Sequence, residues 1–202
     1  LPRRVSPRRR AVHSESQSVM PISRRSLFAL PGAAALQQML GAQEQPDGKI
    51  LAQYYPTPRT VVRRMLEMAA LKTGETLFDV GSGDGRIVVM AAQRYGAKAV
   101  GVELDADLVK LSRQEIERLG LGDKARIIHG DALKQDYSSA DVVTVYLLPE
   151  FNVLLSPILE KQLTKGTRVV CHDFRIRDWK PVDTATMDDD EGRQHRLYLY
   201  HR

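Results

Sequence analysis

Cysteine is almost absent from this sequence, and its histidines show no metal-binding pattern. A single cysteine, Cys171, in 202 residues excludes an intrachain disulfide. Cys171 lies in the apolar, strand-like segment 167–174, where we expect it to be a small buried hydrophobic side chain. The five histidines are scattered, without the paired spacing typical of zinc sites. We therefore expect no metal.

The sequence also lacks a long apolar run and, beyond residue 45, a basic cluster with interleaved aromatic residues. The apolar stretch 29–36 is too short and too polar to span a bilayer, so we expect no transmembrane span. Residues 1–42 hold seven arginines and one acid, a charge of +6. Residues 43–202 hold 23 basic and 24 acidic side chains, a charge of −1, which completes the net +5. Since the excess of basic residues lies in the first segment, we expect no nucleic-acid partner.

Residues 1–45 have the composition of a leader. Ser23-Arg24-Arg25-Ser26-Leu27-Phe28 precedes the weakly apolar stretch 29–36, and the small residues Gly41-Ala42 follow. This order resembles a twin-arginine export signal and implies a protein that is exported or membrane-associated. A disordered basic tail on a cytoplasmic protein is the alternative. Met20 is a plausible start of translation, because the residues before it have no globular pattern.

Residues 46–202 read as one α/β domain, because helix-like and strand-like patterns alternate along them. The pattern predicts helices over 58–71, 86–95, 105–119 and 151–163, and strands over 76–80, 99–103, 125–129, 141–147 and 167–174. Such alternation requires a parallel sheet with right-handed crossovers and helices on both faces. The apolar segments 182–187 and 197–200 flank the acidic residues 188–192 and predict an antiparallel hairpin with a solvated tip.

The segment Asp79 to Arg86, D-V-G-S-G-D-G-R, predicts a ligand site at the turn from a buried strand into a helix. Its glycines, Gly81, Gly83 and Gly85, would let the backbone approach a ligand closely. The helix that follows would direct its free N–H groups at that ligand. A dinucleotide fingerprint reads G-x-G-x-x-G and accommodates a pyrophosphate. Because the Asp79 carboxylate would repel an anion, the sequence indicates a cationic ligand instead.

Two further acids follow the next two predicted strands. Glu103 ends the strand 99–103 and lies 24 residues beyond Asp79, and Asp131 follows the strand 125–129. Acids at three consecutive strand ends are expected to share one edge of the sheet, where ligands bind in open α/β folds. Each acid has a purely structural alternative, because an acid after a strand is often a helix N-cap. Asp105 could cap the next helix as readily as Glu103 could bind a ligand.

The string acid-x-G-x-G-x-G after a first strand resembles motif I of the class I methyltransferases that use S-adenosyl-L-methionine (SAM). The resemblance implies a Rossmann-like seven-stranded sheet, mostly parallel with a C-terminal antiparallel hairpin, and SAM as the cofactor. It also implies that Glu103 accepts hydrogen bonds from the ribose hydroxyls and that Asp131 holds the adenine amino group. The residues expected to bind the cofactor are Tyr55, Thr57, Asp79, Gly81, Ser82, Gly83, Gly85, Glu103, Leu104, Asp131 and Ala132.

A closer resemblance extends over residues 50 to 200. It is carried by Tyr54-Tyr55-Pro56-Thr57-Pro58, Gly81-Ser82-Gly83-Asp84-Gly85-Arg86, Tyr146-Leu147-Leu148-Pro149 and Asp178-Trp179-Lys180-Pro181. These strings are similar to small bacterial relatives of the mitochondrial seven-strand protein-lysine methyltransferases. The resemblance implies methyl transfer to an amine, including a protein lysine, with a membrane-associated protein as one candidate acceptor. The Asp/Asn-Pro-Pro-aromatic motif of many nitrogen methyltransferases is absent after the fourth strand, which argues against a DNA-adenine or glutamine-type acceptor.

The candidate catalytic residues are Tyr146 and Glu150, which follow that fourth strand. Tyr54, Tyr55 and Tyr146 would form an aromatic pocket that disfavours a charged lysine, and Glu150 would orient the amine. Ordinary packing of these tyrosines is the alternative, and Trp179 is expected to be a lid or a core anchor. Two other functions stay open, namely a small-molecule O- or N-methyltransferase and a non-catalytic SAM-binding module.

Overall fold

The computed structural model describes residues 54–202, together with the backbone of 43–44 and 50–51. The twin-arginine-like segment and nearly all of the leader predicted over 1–45 lie outside the described residues. Within the described part of the chain, no helix has the length and apolarity that a membrane crossing needs.

Two short strands precede the main domain. β1 (Gln43–Glu44) pairs antiparallel with β2 (Ile50–Leu51), with Gln43 opposite Leu51. The sequence pattern did not predict these strands. The sequence between them contains Pro46-Asp47-Gly48, residue types favoured in turns.

The main domain contains four α-helices and seven strands within the described residues. The helices are α1 (Arg59–Met68), α2 (Arg86–Tyr95), α3 (Ala106–Arg118) and α4 (Pro149–Gln162). The strands are β3 (Thr76–Val80), β4 (Lys98–Glu103), β5 (Ala125–His129), β6 (Val142–Val145), β7 (Arg168–His172), β8 (Asp183–Asp188) and β9 (Gln194–His201). A short 3-10 turn covers Ala132–Lys134.

The seven strands form one sheet in the order β5-β4-β3-β6-β7-β9-β8. Strands β3 to β7 are parallel, whereas β9 runs antiparallel to both β7 and β8. The predicted parallel sheet with a terminal antiparallel hairpin is therefore confirmed. The chain winds outward from β3 through β4 to β5 and then returns to place β6 on the other side of β3. Ligands bind at such a switch point, beyond the carboxyl ends of the strands.

Alternate residues of each strand contribute to two separate apolar layers, one on each face of the sheet. One face packs against α1, α2 and α3 through residues that include Leu66, Val88, Val109, Leu77 and Val142. The opposite face packs against α4 through residues that include Leu155, Leu159, Phe78, Val143 and Val169. Helices thus cover both faces, as the sequence predicted, and the sheet is buried between them.

Cys171 and Trp179 have the packing roles expected for them, whereas Asp189 does not have its expected exposure. Cys171 is fully buried in β7, which confirms its packing role. Trp179 is a core anchor, since its ring packs edge-on against Tyr200 and its N–H donates to Glu160 Oε1 at 2.9 Å. The expectation of a wholly solvated hairpin tip is wrong for Asp189, whose side chain is only 6% exposed because it accepts a hydrogen bond from a buried histidine.

Candidate active site

The glycine-rich loop between β3 and α2 has the backbone that its sequence predicts. Gly81, Gly83 and Gly85 have φ angles of 73°, 53° and 78°, a region that residues with a Cβ rarely adopt. The N–H groups of Gly81 and Ser82 both donate to the Val102 carbonyl at 2.9 Å, which fixes the loop on the end of β4. The loop is therefore shaped by its backbone and offers a surface with few side chains.

Each of these glycines also lies against a neighbouring group. A Cβ at Gly81 would be 2.7 Å from Leu147 Cδ2, and one at Gly83 would be 2.6 Å from the Tyr54 ring. The contact with Leu147 brings the segment after β6 against the loop after β3. Ser82 turns its side chain toward β4, since a Cβ at Gly101 would be 2.5 Å from its hydroxyl oxygen. The Ser82 hydroxyl is buried there without a hydrogen-bond partner among the described residues.

Asp79, one residue before the end of β3, carries a deeply buried carboxyl group and is 3% exposed. Its Oδ1 accepts a hydrogen bond from the Thr144 hydroxyl on neighbouring β6 at 2.7 Å. Burial raises the pKa of Asp79 to about 7; the Thr144 hydrogen bond opposes this shift, and the charges of Glu103 and Asp84 add to it. A positively charged ligand group beside this carboxyl would compensate its burial.

Glu103 at the end of β4 holds three backbone N–H groups. Its Oε2 accepts from Gly83 at 2.7 Å, and its Oε1 accepts from Leu104 and Asp105 at 2.8 and 2.9 Å. A carboxylate offers about four lone-pair sites, so Oε2 can accept a further hydrogen bond. Glu103 thus ties the glycine-rich loop to β4 and keeps acceptor capacity for a ligand hydroxyl.

The remaining acids divide between capping and ligand binding. Asp105 is the N-cap of α3, because its side chain accepts from the N–H groups of Asp107 and Leu108. Since Asp105 caps the helix, Glu103 is free of that task. Asp131 caps the 3-10 turn by accepting from the Leu133 N–H at 2.9 Å. Its Oδ2 lies 3.7 Å from the exposed Lys134 amine, and the Asp131 side chain is 20% exposed, so this oxygen could accept a hydrogen bond from an amino group. Ala132 is buried beneath it.

An ion pair joins the glycine-rich loop to the segment before α1. The Arg86 guanidinium donates to both carboxylate oxygens of Asp84 and, from Nη1, to the Thr57 carbonyl at 2.9 Å. The Thr57 hydroxyl is buried and lies 3.2 Å from His172 Nδ1. The carbonyl and hydroxyl groups of Thr57 are therefore both engaged inside the protein, where they fasten the tyrosine-rich segment over the loop.

Tyr146 follows β6 directly and packs in an aromatic group. Its ring centre is 3.9 Å from that of His172 and 6.3 Å from that of Phe174, nearly parallel to the latter. Burial, with Asp173 nearby, raises the pKa of Tyr146, so its hydroxyl stays neutral. Glu150 is exposed in the first turn of α4.

The tyrosine pocket predicted from sequence is only partly assembled. Tyr54 lies over Gly83, and Asp84 contributes, after burial, to a raised pKa of Tyr54. Tyr55 has a different neighbour, because the Arg193 guanidinium lies 4.7 Å above its ring. The charge of Arg193 also opposes the rise that burial causes in the pKa of Tyr146. Tyr55 and Tyr146 therefore share one cation, which the sequence pattern did not indicate.

Sequence reasoning also missed the ion pair of Asp84 with Arg86 and a buried group of His172, Asp173 and His195. The first had a signal, since an acid and an arginine two residues apart at a helix start often pair. The second had none, because His172 and His195 are 23 residues apart and meet only when β9 pairs with β7.

These features fit SAM. The buried carboxyl group of Asp79 would favour a cationic ligand, the glycine-rich loop offers backbone with positive φ angles, and Glu103 retains capacity for a hydroxyl group. Asp131 Oδ2 is accessible for an amino group at the next strand end. SAM supplies a methyl group on a positively charged sulfur when it is bound.

Comparison with known proteins gives the same family. Residues 79–183 match the model of the ANTKMT methyltransferase domain. A protein-lysine N-methyltransferase of Saccharolobus islandicus is 43% identical over 148 residues, which cover 73% of this chain and 91% of that protein. The adenine nucleotide translocase lysine N-methyltransferase of Mus musculus is 35% identical over 121 residues, which cover 60% of this chain and 52% of that protein.

A solved structure from Salinibacter ruber is similar throughout the domain. It is described as an RNA methyltransferase in complex with S-adenosyl-L-homocysteine, and it is 46% identical with a TM-score of 0.68. The match covers 73% of this chain and 93% of that one. This chain therefore belongs to the ANTKMT methyltransferase domain family and is a SAM-dependent methyltransferase.

Proposed function

We propose that the methyl acceptor is the side-chain amine of a lysine in a protein. The similarity to the protein-lysine N-methyltransferase from Saccharolobus islandicus favours this acceptor. The structural observation that carries the proposal is the position of Tyr146, Tyr55 and Arg193 together at the end of β6. The contact of Leu147 with Gly81 connects this group to the loop that would hold the cofactor.

Methyl transfer to an amine needs a neutral nucleophile held in line with the bond that breaks. A lysine in water has a pKa of about 10.4 and is protonated at neutral pH. An environment that excludes water, such as one beside Tyr146 and Phe174, lowers the pKa of an amine. The positive charge of Arg193 would lower it further, since a like charge disfavours the ammonium form. Glu150, exposed at the rim, is a candidate to attract the incoming ammonium group.

A second acceptor class, RNA, is favoured by one observation. The similar protein from Salinibacter ruber is described as an RNA methyltransferase. Charge argues against RNA, because residues 43–202 carry a net −1, whereas RNA-binding domains concentrate positive charge. We therefore favour protein and make RNA an outcome of the test.

The test incubates the full chain with SAM labelled in the methyl group and with separate protein and RNA fractions of one cell extract. Label recovered as methyllysine after acid hydrolysis supports the proposal. Label that resists protease and is released by ribonuclease overturns it in favour of RNA, and label in small molecules alone overturns it in favour of a metabolite acceptor.

Two variants then test the position of Arg193 at the acceptor site. They are assayed with a protein acceptor that has been shown to form methyllysine. Arg193→Gln removes the neighbouring charge and should move the rising limb of the kcat/KM profile to higher pH. Arg196→Gln, an exposed arginine on the following strand, is the matched control and should leave the profile unchanged. Equal profiles in both variants would remove Arg193 from the acceptor site.

We also propose that residues 1–45 target the protein to export or to a membrane, separately from the catalytic domain. The paired Arg24-Arg25 and the weakly apolar stretch after it support this proposal. A membrane-associated acceptor protein would agree with such a location.

A further inference from the structure

Two histidines and an aspartate from different strands converge beside Tyr146. His172 Nε2 lies 2.8 Å from His195 Nδ1, and Asp173 Oδ2 lies 3.4 and 3.3 Å from these two nitrogens. Both imidazoles are fully buried, whereas the Asp173 side chain is 19% exposed. Three potential ligand atoms thus form a small triangle near the protein surface.

Hydrogen bonds within this triangle leave two acceptor atoms facing each other. The Asp189 carboxylate accepts from His195 Nε2 at 3.1 Å, so Nδ1 of a neutral His195 carries a lone pair. That lone pair faces Asp173 Oδ2, which is also an acceptor. With its proton on Nε2, His172 donates to His195 Nδ1 at 2.8 Å, and Asp173 Oδ2 is left without a donor from either ring. If the His172 proton lies instead on Nδ1, where it can be donated to the Thr57 hydroxyl, all three atoms present lone pairs that one divalent cation would bind.

In each of the three side chains, the second nitrogen or oxygen, which points away from the triangle, has a hydrogen-bond partner, as in a metal site. His195 donates from Nε2 to Asp189, and His172 Nδ1 pairs with the Thr57 hydroxyl at 3.2 Å. Asp173 Oδ1 accepts from the Arg196 N–H at 2.9 Å. Metal-bound histidines usually carry such a partner on their second nitrogen, because it fixes the ring and the tautomer.

The backbone at Asp173 has an unusual positive φ, and this conformation directs the carboxylate toward the two imidazoles. Asp173 has a φ of 56°, and the Phe174 N–H donates to the His172 carbonyl at 2.6 Å across it. Three-residue turns with positive φ are rare and strained. Strain of this kind persists where surrounding structure holds it, often at ligand sites. The turn places Asp173 Oδ2 beside both imidazoles.

We propose that His172, Asp173 and His195 bind one divalent transition-metal ion of the Zn²⁺ class, which fastens β9 to the end of β7. Nitrogen and carboxylate ligands of tetrahedral Zn²⁺ lie about 2.0 to 2.2 Å from the metal, hence roughly 3.3 Å from one another. Two of the three separations match this value, and the imidazoles need to part by about half an ångström. We expected no metal because the histidines are scattered without paired spacing in the sequence. That spacing does not reveal the contact of His172 with His195, which forms when β9 pairs with β7. The proposal does not depend on the acceptor.

The test uses the full chain, stripped with a chelator and titrated with Zn²⁺ against a chromogenic competitor. We expect one Zn²⁺ per chain with a Kd of about 1 μM or tighter, and no competition from Mg²⁺, which prefers oxygen ligands. X-ray absorption should show two imidazole ligands. A wild-type chain that binds no Zn²⁺ in this range, or a zinc spectrum without imidazole, overturns the proposal.

Variants locate the ion. Asp173→Asn and His195→Gln should weaken Zn²⁺ binding more than 100-fold, and Asp189→Asn should weaken it about 10 to 100-fold, because His195 loses the partner that orients its ring. His201→Gln, an exposed histidine on the same strand, is the matched control and should bind normally. Affinities within threefold of wild type in both ligand variants overturn the assignment. Circular dichroism and SAM calorimetry report folding independently; if the ligand variants fail to fold, Asp189→Asn decides.

Discussion

The buried carboxyl group of Asp79 should make SAM affinity depend on pH. Its pKa in the ligand-free protein is raised to about 7 by burial. A cationic ligand group beside it would stabilise the carboxylate and lower that pKa in the complex. Binding then requires loss of a proton at any pH below about 7. Affinity should rise with pH up to neutrality and become constant above it.

The size of this effect follows from the pKa. Each pH unit below about 7 costs up to 1.36 kcal/mol, or tenfold in Kd, until the pKa of the complex is reached. At pH 5 the Kd should therefore be about 100-fold higher than at pH 8, equivalent to about 2.7 kcal/mol. Asp84 should not contribute in this range, since its pairing with Arg86 lowers its pKa despite partial burial.

Isothermal titration calorimetry measures both consequences on the same sample. The Kd should follow this pH profile, and near pH 6 each SAM bound should release close to one proton, detected by comparing buffers of different ionisation enthalpy. Asp79→Asn should bind weakly at pH 8 and lose the pH dependence. Methylthioadenosine, a ligand without the charged end, should show little dependence in the wild type. A flat Kd from pH 5 to 8, or an unchanged slope in Asp79→Asn, would refute the reasoning.

Four further outcomes can be checked on the purified protein or in cells. Glu103→Ala should weaken SAM binding by a few kcal/mol in calorimetry, because it removes a charge-assisted acceptor and frees the Gly83 N–H; Glu103→Gln should lose less. Gly83→Val should abolish SAM binding while circular dichroism stays native, because φ is 53° there and its Cβ would be 2.6 Å from Tyr54; normal binding would show an ordinary turn. The unfolded pKa of Asp79 is 3.8 and the folded pKa about 7, so the folded state binds more protons between them. The free energy of unfolding without ligand should therefore fall as pH rises from about 4 to 7, by up to about 4 kcal/mol, and Asp79→Asn should remove this fall in urea titrations. Arg24→Lys with Arg25→Lys should block export in fractionated cells, since the receptor reads guanidinium groups; equal cytosolic retention of wild type would contradict the leader.

The sequence predicted the cofactor and the glycine-rich loop because their signals are local. Each acid lies within two residues of the end of its own strand, and Gly81, Gly83 and Gly85, which all have positive φ, stand in one short loop. A parallel sheet then brings consecutive strand ends to one edge without further information. The boundaries were less accurate where a turn interrupts an apolar pattern. α1 ends at Met68, three residues early, because Ala70 adopts a φ of 46° in the turn that follows.

The group of Tyr55, Arg193, His172 and His195, which we propose to lie at the acceptor site, could not be predicted because its contacts depend on the register of an antiparallel strand. Arg193 reaches Tyr55, and His195 reaches His172, only because β9 pairs with β7 so that Leu197 lies opposite His172. A shift of one residue would turn His195 to the other face of the sheet and would displace Arg193, which directly precedes β9. No local pattern encodes that register.

This division of the site has a functional consequence. The groups that fit SAM are held by β3, β4 and the loop between β3 and α2, whereas Arg193 and His195 belong to the terminal hairpin. Changes in the hairpin could therefore alter the proposed acceptor site while the contacts of Asp79 and Glu103 stay in place. Within one family, this separation would let acceptors differ while the cofactor site stays the same. Exchange of residues 183–201 between related enzymes should accordingly transfer acceptor preference but not SAM affinity.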